Sequence, residues 1–461
     1  MLRKYFGDKA FYKMICAISI PIMLQNLITN FVSMLDNIMV GAIGTEQMSA
    51  VTIVNQLLFV FNLTIFGALS GAGIFTSQFY GKNDQEGISH TVRYKIIVAI
   101  LITTVATVVL SLFGRELINL YLHDGSYDCD LSSTLLCAES YLRIMLIGLP
   151  FFALSQVLAS SLRETGETFI PMIFGIVAVV TNCTFNYLLI FGKFGFPYLG
   201  TDGAAIATVI SRVVEAVLLA LYTVKKRARF SFILNAFRSL RIPKTLFSVI
   251  TRKGMPLLLN EMLWSIGISL QAMCYSLYGL DVVAANSICS TVVNLFNISF
   301  MAFGTSIGIV VGKQLGAGKF EEAVDTNRKM LTFSILISIG IAAICAACGG
   351  LISSIYNTSE ASRELATSFI RIACLFMPVI AFLHGAYFCM RSGGKTIITF
   401  IFDAGFVLAV VDPVSYLLCS PQTMEIETIF FLVYLLDILK AAVGYYVLKK
   451  RIWVNNIVKE L

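Results

Sequence analysis

Twenty-two uncharged residues separate Lys13 from Asp36, and runs of this kind recur along the whole chain. A helix of about 20 apolar residues is enough to cross the hydrocarbon core of a bilayer. No single soluble core could take in so many such runs. Only 13% of the 461 residues are charged, against roughly 25% in an ordinary soluble domain. The sequence therefore specifies an all-α polytopic membrane protein. Twelve spans can be counted, near 14–40, 50–80, 91–113, 138–162, 168–192, 199–224, 249–278, 282–312, 329–350, 365–390, 396–420 and 427–448. The first follows "MLRKYFGDKAFYK". It is too long for a signal sequence, lacks a small-residue cleavage site and is followed by further spans, so it reads as a retained helix.

Charge placement orients the chain. The N-terminus carries Arg3, Lys4, Lys9 and Lys13, the connection between spans 6 and 7 carries Lys225, Lys226, Arg227, Arg229, Arg238, Arg241, Lys244, Arg252 and Lys253 without an acid, and the C-terminus carries Lys449, Lys450, Arg451 and Lys459. The opposite loops hold Asp124, Asp128, Asp130, Glu425 and Glu427. Positive charge marks the cytoplasmic side, which puts both termini in the cytoplasm of a cell inner (plasma) membrane. Topology accounts for the basic loop, so no nucleic-acid partner is expected. Most of the eleven cysteines lie inside apolar runs; Cys345 and Cys348 read as small packing residues. Cys129 and Cys137 lie in or near an outer loop, where pairing and free thiols are both open. Three histidines give a zinc site no support.

The chain is written twice. A shift of 235 residues brings Pro21 onto Pro256, Gly44 onto Gly279, Gly73 onto Gly308, Gly81 onto Gly316 and Arg93 onto Arg328. Beyond the outer loop the shift becomes 228, bringing Pro150 onto Pro378 and Arg163 onto Arg391. Six spans separate the copies, so both insert with the same orientation. The expectation is two six-helix lobes, 1–224 and 249–461, joined by a basic cytoplasmic linker at 225–248. A pseudo-two-fold axis along the membrane normal would relate them, as in transporters with parallel repeats. That architecture favours a site between the lobes that opens alternately to each side; a duplicated structural scaffold is the plainer alternative.

Polar residues in the spans argue against a scaffold. Asp36 costs about 2.5–3.5 kcal/mol at a helix centre, so it needs a partner, a cavity or a proton. Thr29, Ser33 and Asp36 are spaced to share a helix face. Asn182 and Asn186 lie one turn apart in span 5 and suit a second shell around Asp36. Glu261 is the second half's buried carboxylate, five residues past Pro256. The repeat puts Glu261 on Asn26 and Gln271 on Asp36, so the halves differ chemically. Asp403 and Asp412 in span 11 and His384 in span 10 are further candidates. Arg212 with Glu215, and Asp437 with Lys440, have the i, i+3 spacing of self-neutralised structural pairs. Gly304, Gly308, Gly312 and Gly316 make a smooth packing strip. "GAGKFEE" and "SGGKTII" both fail as phosphate-binding loops, since Lys313 and Cys389 take the first glycine position. Uphill movement by this chain would draw on an ion gradient rather than ATP.

Taken together, "MLDNIMVGAIGTEQMSAV", "SQFYGKNDQEG", "FNYLLIFGKFGFPYLGTDGAAIAT", "PLLLNEMLW", "GKQLGAGKFEEA" and "MRSGGKT" resemble MATE, the family of multidrug and toxic compound extrusion antiporters. The likeness runs along nearly the whole chain and is closer to the NorM-like branch than to the DinF-like one. It implies that Asp36 is the span 1 aspartate tied to cation coupling, with Asn182 beside it; both would hold Na⁺ if Na⁺ is the ion. Asn186 stands where the DinF-like branch has an aspartate. Glu261 matches the NorM-like span 7 glutamate, while that branch's span 10 acid falls near Ile380, which is not ionisable. The implied activity is a secondary active antiporter, not an enzyme. It would export organic, cationic and amphipathic compounds in exchange for Na⁺ or H⁺, as a monomer in lipid, with no cofactor beyond the coupling ion. A flippase for a lipid-linked saccharide, of related architecture, is the rival. It would favour cationic residues in the central groove, whereas the isolated central charges here are acids.

Overall fold

The computed structural model describes residues 5–120, 131–354, 358–459 and 461, with backbone alone at 32–35, 37, 45, 131 and 280. Cys129, and with it the Cys129–Cys137 question, lies outside the described residues, as do Asp124, Asp128 and Asp130. All regular structure among the described residues is helical: α1 Lys9–Gly41, α2 Thr45–Lys82, α3 Gln85–Asn119, α4 Leu131–Glu164, α5 Phe169–Phe191, α6 Gly200–Lys225, α7 Ser231–Arg238, α8 Lys244–Ser276, α9 Leu280–Gly316, α10 Phe320–Ser354, α11 Glu360–Ser392, α12 Thr396–Phe400, α13 Asp412–Cys419 and α14 Ile426–Lys449. Two π-helical stretches join α12 to α13, so 396–419 is one span. Among the described residues eleven segments are long and apolar enough to cross a membrane, and the 24 residues of α14 follow them. Apolar side chains such as Ile100, Leu101, Val105, Leu112 and Phe113 of α3 lie exposed, as a surface in contact with lipid requires.

The repeat is visible in the helix lengths. α1 and α8 both have 33 residues, α3 and α10 both have 35, and α2 has 38 against 37 for α9. Proline interrupts the hydrogen-bond ladder at equivalent places, Pro21 and Pro256 in one helix pair and Pro150 and Pro378 in the other. By internal contacts, residues 24–76 with 85–248 form one compact unit, and residues 1–23, 77–84 and 249–461 form the other. The chain passes from one unit to the other between Ser248 and Val249, so residues 225–248 go with the first. Two short stretches of the first half belong to the second unit.

The basic linker has structure of its own. α7 buries Phe232, Ile233 and Ala236. Its carbonyls and that of Arg241 just beyond it are held from α3, where Ser89 Oγ donates to Phe232 O at 2.9 Å and Arg93 donates to Asn235 O and Arg241 O at 3.3 and 2.9 Å. In the other unit the C-terminal tail is docked. Gln78 Nε2 donates to Ser392 O (2.9 Å) and Asn455 O (3.2 Å), while Gln78 Oε1 accepts from Ile457 N (2.9 Å). Lys82 Nζ donates to Val458 O at 2.9 Å. Trp453 and Val458 are fully buried. The glycine pair of "SGGKT", which failed as a phosphate loop, serves this docking: a Cβ on Gly393 would strike the Trp453 backbone.

The ends of α2 and α9 meet reciprocally. A Cβ on Gly81 would strike the backbone of Lys313, and one on Gly316 the backbone of Gln78. Gly81 and Gly316 are repeat partners, and so are Gln78 and Lys313. The glycine strip of α9 is thus a packing surface, with Gly304 and Gly308 against Phe388. Overpacking a site of this kind costs about 1–3 kcal/mol. Gly316→Val should therefore lower thermal unfolding in detergent, while Gly340→Ala, in a helix with open space around it, should be neutral or gain up to about 1 kcal/mol.

Candidate functional site

In the first unit Asp36, near the end of α1, accepts a hydrogen bond from Asn186 Nδ2 of α5. The same amide donates to Asn182 Oδ1 at 3.2 Å, and Asn182 Nδ2 donates to Thr208 Oγ1 of α6 at 3.2 Å. Asn182 and Asn186 are buried and Asp36 is half-buried. Asn186 Oδ1 is buried without a partner among the described residues. The nearby positive charge acting on Asp36 is Arg212 of α6, which lies 3.4 Å from Glu215 and over the ring of Phe152. The cluster therefore offers a carboxylate and a free amide oxygen, with amide nitrogens already directed elsewhere. Thr29 Oγ1 turns back to Gln25 O of its own helix at 2.8 Å, and the Ser33 side chain lies outside the described residues.

In the second unit Glu261 Oε1 of α8 accepts from the Tyr387 hydroxyl of α11 at 3.1 Å. The adjacent Asn260 donates to Asp403 Oδ2 at 3.0 Å and accepts from Ala404 N at 3.1 Å. That backbone N–H is within reach because the chain is π-helical at 401–405. Lys440 of α14 donates to Asp403 Oδ1 at 2.8 Å, and His384 lies in the field of Asp403 and Lys440. Here the sequence expectation is corrected. Lys440 does not close an i, i+3 pair with Asp437 but crosses to Asp403, since a lysine on one helix face reaches a carboxylate on a packed helix as readily as one on its own.

The two networks use equivalent helices at different levels, since the repeat puts Asp36 on Gln271 rather than on Asn260 or Glu261. Gln25 and Asn260 are repeat partners, as are Gly175 and Asp403. Gln25 packs over Gly175, 3.3 Å from where its Cβ would stand, and Asn260 bonds Asp403. Counted at 228, Arg212 falls on Lys440. Glu261 and Asp36 sit in separate units. Gln271, the counterpart of Asp36, is half-buried on α8 and joins neither network among the described residues. Asp412 is buried apart from both. Sequence reasoning missed Asn260, Tyr387 and the Lys440 link; the adjacency of Asn260 to Glu261 was the one available signal.

The helical architecture and its intramembrane carboxylates define a multi-span membrane transporter. The MatE family profile matches residues 21–188 and 256–416, one stretch in each half. This chain belongs to the MatE family. It is 28% identical over 398 residues to the probable multidrug resistance protein NorM of Thermotoga maritima, covering 84% of this chain and 82% of that one. It is 24% identical over 408 residues to the probable multidrug resistance protein YoeA of Bacillus subtilis, covering 88% and 87%. An outward-facing multidrug resistance MATE family transporter superimposes with a TM-score of 0.86 at 18% identity over 98% of this chain and 97% of that one. A MOP superfamily transporter from Pyrococcus furiosus gives 0.84 at 19% identity over 98% and 97%. These structures share the fold of twelve helices in two six-helix lobes.

Removing one partner of a buried ion pair leaves an uncompensated charge at a cost of about 3–5 kcal/mol. Lys440→Ala is expected to lower thermal stability in detergent by an amount in this range. Lys440→Ala with Asp403→Ala should recover most of the loss, a non-additivity read directly in a double-mutant cycle.

Proposed function

We propose that this protein is a secondary active antiporter that exports organic, cationic and amphipathic compounds in exchange for Na⁺ or H⁺ by alternating access. The observation that carries the reading is the Asp36–Asn186–Asn182 cluster. In it a carboxylate within an apolar helix meets an amide whose own oxygen is left buried and free. The names of NorM and YoeA, both probable multidrug resistance proteins, support the export of drugs. Both termini lie in the cytoplasm, no ATP is used, no cofactor beyond the coupling ion is needed, and the protein acts as a monomer in the plasma membrane.

The coupling follows from charge. An ion bound at Asp36 neutralises the carboxylate and removes its attraction for a cationic compound, which favours release outside. Once the ion leaves to the cytoplasm, the bare carboxylate attracts the next cation. Asn186, braced by Asn182, holds the carboxylate and supplies its free oxygen to a bound ion. Glu261, held by Tyr387, and the Asp403–Lys440 pair, with His384 in its field, do equivalent electrostatic work in the second unit. Exchange requires only that ion and drug each differ in affinity between the two states.

The test is flux of a fluorescent lipophilic cation in proteoliposomes, with Na⁺ and pH gradients imposed separately. One gradient is expected to drive wild-type flux, and Asp36→Asn is expected to reduce that flux to the level without a gradient. Undiminished gradient-driven flux in Asp36→Asn would remove Asp36 from the coupling step.

A further inference from the structure

The halves differ most in backbone at their fifth span. α5 runs as one α-helix from Phe169 to Phe191, whereas its counterpart passes through π-helical stretches at Ile401–Gly405 and Val407–Val411 before α13 begins. A π turn takes up one residue more than an α turn, and such turns mark functional segments in many helices. Counted straight through at 228, Asn182 and Asn186 fall on Val410 and Val414. Two added residues turn the helix by roughly 200°, and then Asp412 takes the place of Asn182.

The surroundings of Asp412 agree with that register. Its side chain is inward, 8% exposed. Its Oδ2 stands 3.1 Å from where a Cβ on Gly267 of α8 would be, and α8 is the counterpart of the helix that carries Asp36. Both Asp412 carboxylate oxygens are buried without a hydrogen-bond partner among the described residues, and so is Ser415 Oγ one turn on. The titratable group of α8 in its field is Cys274, followed by Tyr275, whose hydroxyl is also buried and unpartnered. Its own helix brings Cys419. α14, which packs against this helix, carries Asp437 and Lys440, and Lys440 is already engaged by Asp403. Among the described residues no cation lies in ion-pair reach of Asp412.

A bare carboxylate so placed has neither donor nor counter-charge, and desolvated charge of this kind is removed by neutralisation. We propose that Asp412 is a proton-binding site of the second unit, loaded and emptied during transport, the counterpart of the Asp36 cluster with the carboxylate moved from α8 to the facing helix. The chemistry is a single proton transfer: hydronium from the bathing water gives its proton to Asp412 Oδ and becomes water in one state, and water takes the proton back as hydronium in the other. The proposal rests on the antiport reading for its cycle but not for the site itself.

Two measurements separate these. The first is the infrared difference spectrum between acidic and alkaline pH of the protein in lipid bilayers, for wild type, Asp412→Asn and Asp36→Asn. A protonated-carboxyl band should be lost in Asp412→Asn and kept in Asp36→Asn. An Asp412→Asn spectrum equal to wild type, or a band that responds to Na⁺ at fixed pH, overturns the assignment. Should Asp412→Asn not fold, Asp412→Glu is expected to move both band and midpoint, and an unmoved band is equally fatal. The second is proton uptake counted against dye export, expected to drop in Asp412→Asn; an unchanged ratio overturns the cycling role. Absence of any gradient-driven wild-type flux would instead sink the antiport reading and leave the spectroscopic result standing.

Discussion

A polar group inside a bilayer has no water to turn to, so every N–H, carbonyl, hydroxyl and charge in a span must find its partner within the protein. Much of this structure follows from that condition. Hydroxyls along the helices fold back on their own backbone, as Thr181 does to Val177 O and Thr184 to Val180 O at 2.8 and 2.7 Å. Amides that cannot do so cross to another helix. Asn260 settles three groups at once, donating to Asp403 and Tyr387 and accepting from Ala404 N. Groups left over under such a rule stand out, and these include Asn186 Oδ1 and the Asp412 carboxylate.

The duplication gave both units one scaffold and different contents. A lone aspartate on α1, answered by amides from α5, marks the first unit. In the second, Gln271 takes the place of that aspartate, and the acids stand on α8 and on the span at 396–419. The positive charge that influences Asp36 from Arg212 has become, at Lys440, a direct bond to Asp403. The units thus carry unlike charge on equivalent helices.

Much of this was legible in the sequence because it is written in long-range regularities. Charge-free runs delimit the spans, and the shifts of 235 and 228 expose the repeat. Asp36, Asn182 and Asn186 announced themselves as polar residues in apolar helices, and the structure joins them. What escaped has a common cause: it depends on rotation about a helix axis or on docking between distant segments. Nothing local in "TIITFIFDAGFVLAVVDP" signals two π-helical turns, and without them the face that Asp412 occupies is miscounted. Lys440 had an acid at helical spacing, so its bond to a packed helix was invisible. α7 hid inside a segment whose charge was explained by topology alone.

The docked tail has a consequence for how the protein is made. Gln78 leaves the ribosome early, yet its partners are Ser392, Asn455 and Ile457, more than 300 residues later. Residues 1–23 and 77–84 likewise belong with residues 249–461. The first unit's span segments can pack as they are inserted, but the second unit closes only after the final residues of the tail emerge. A chain stalled before residue 455 would carry every span and still lack the tail's bonds to Gln78 and Lys82.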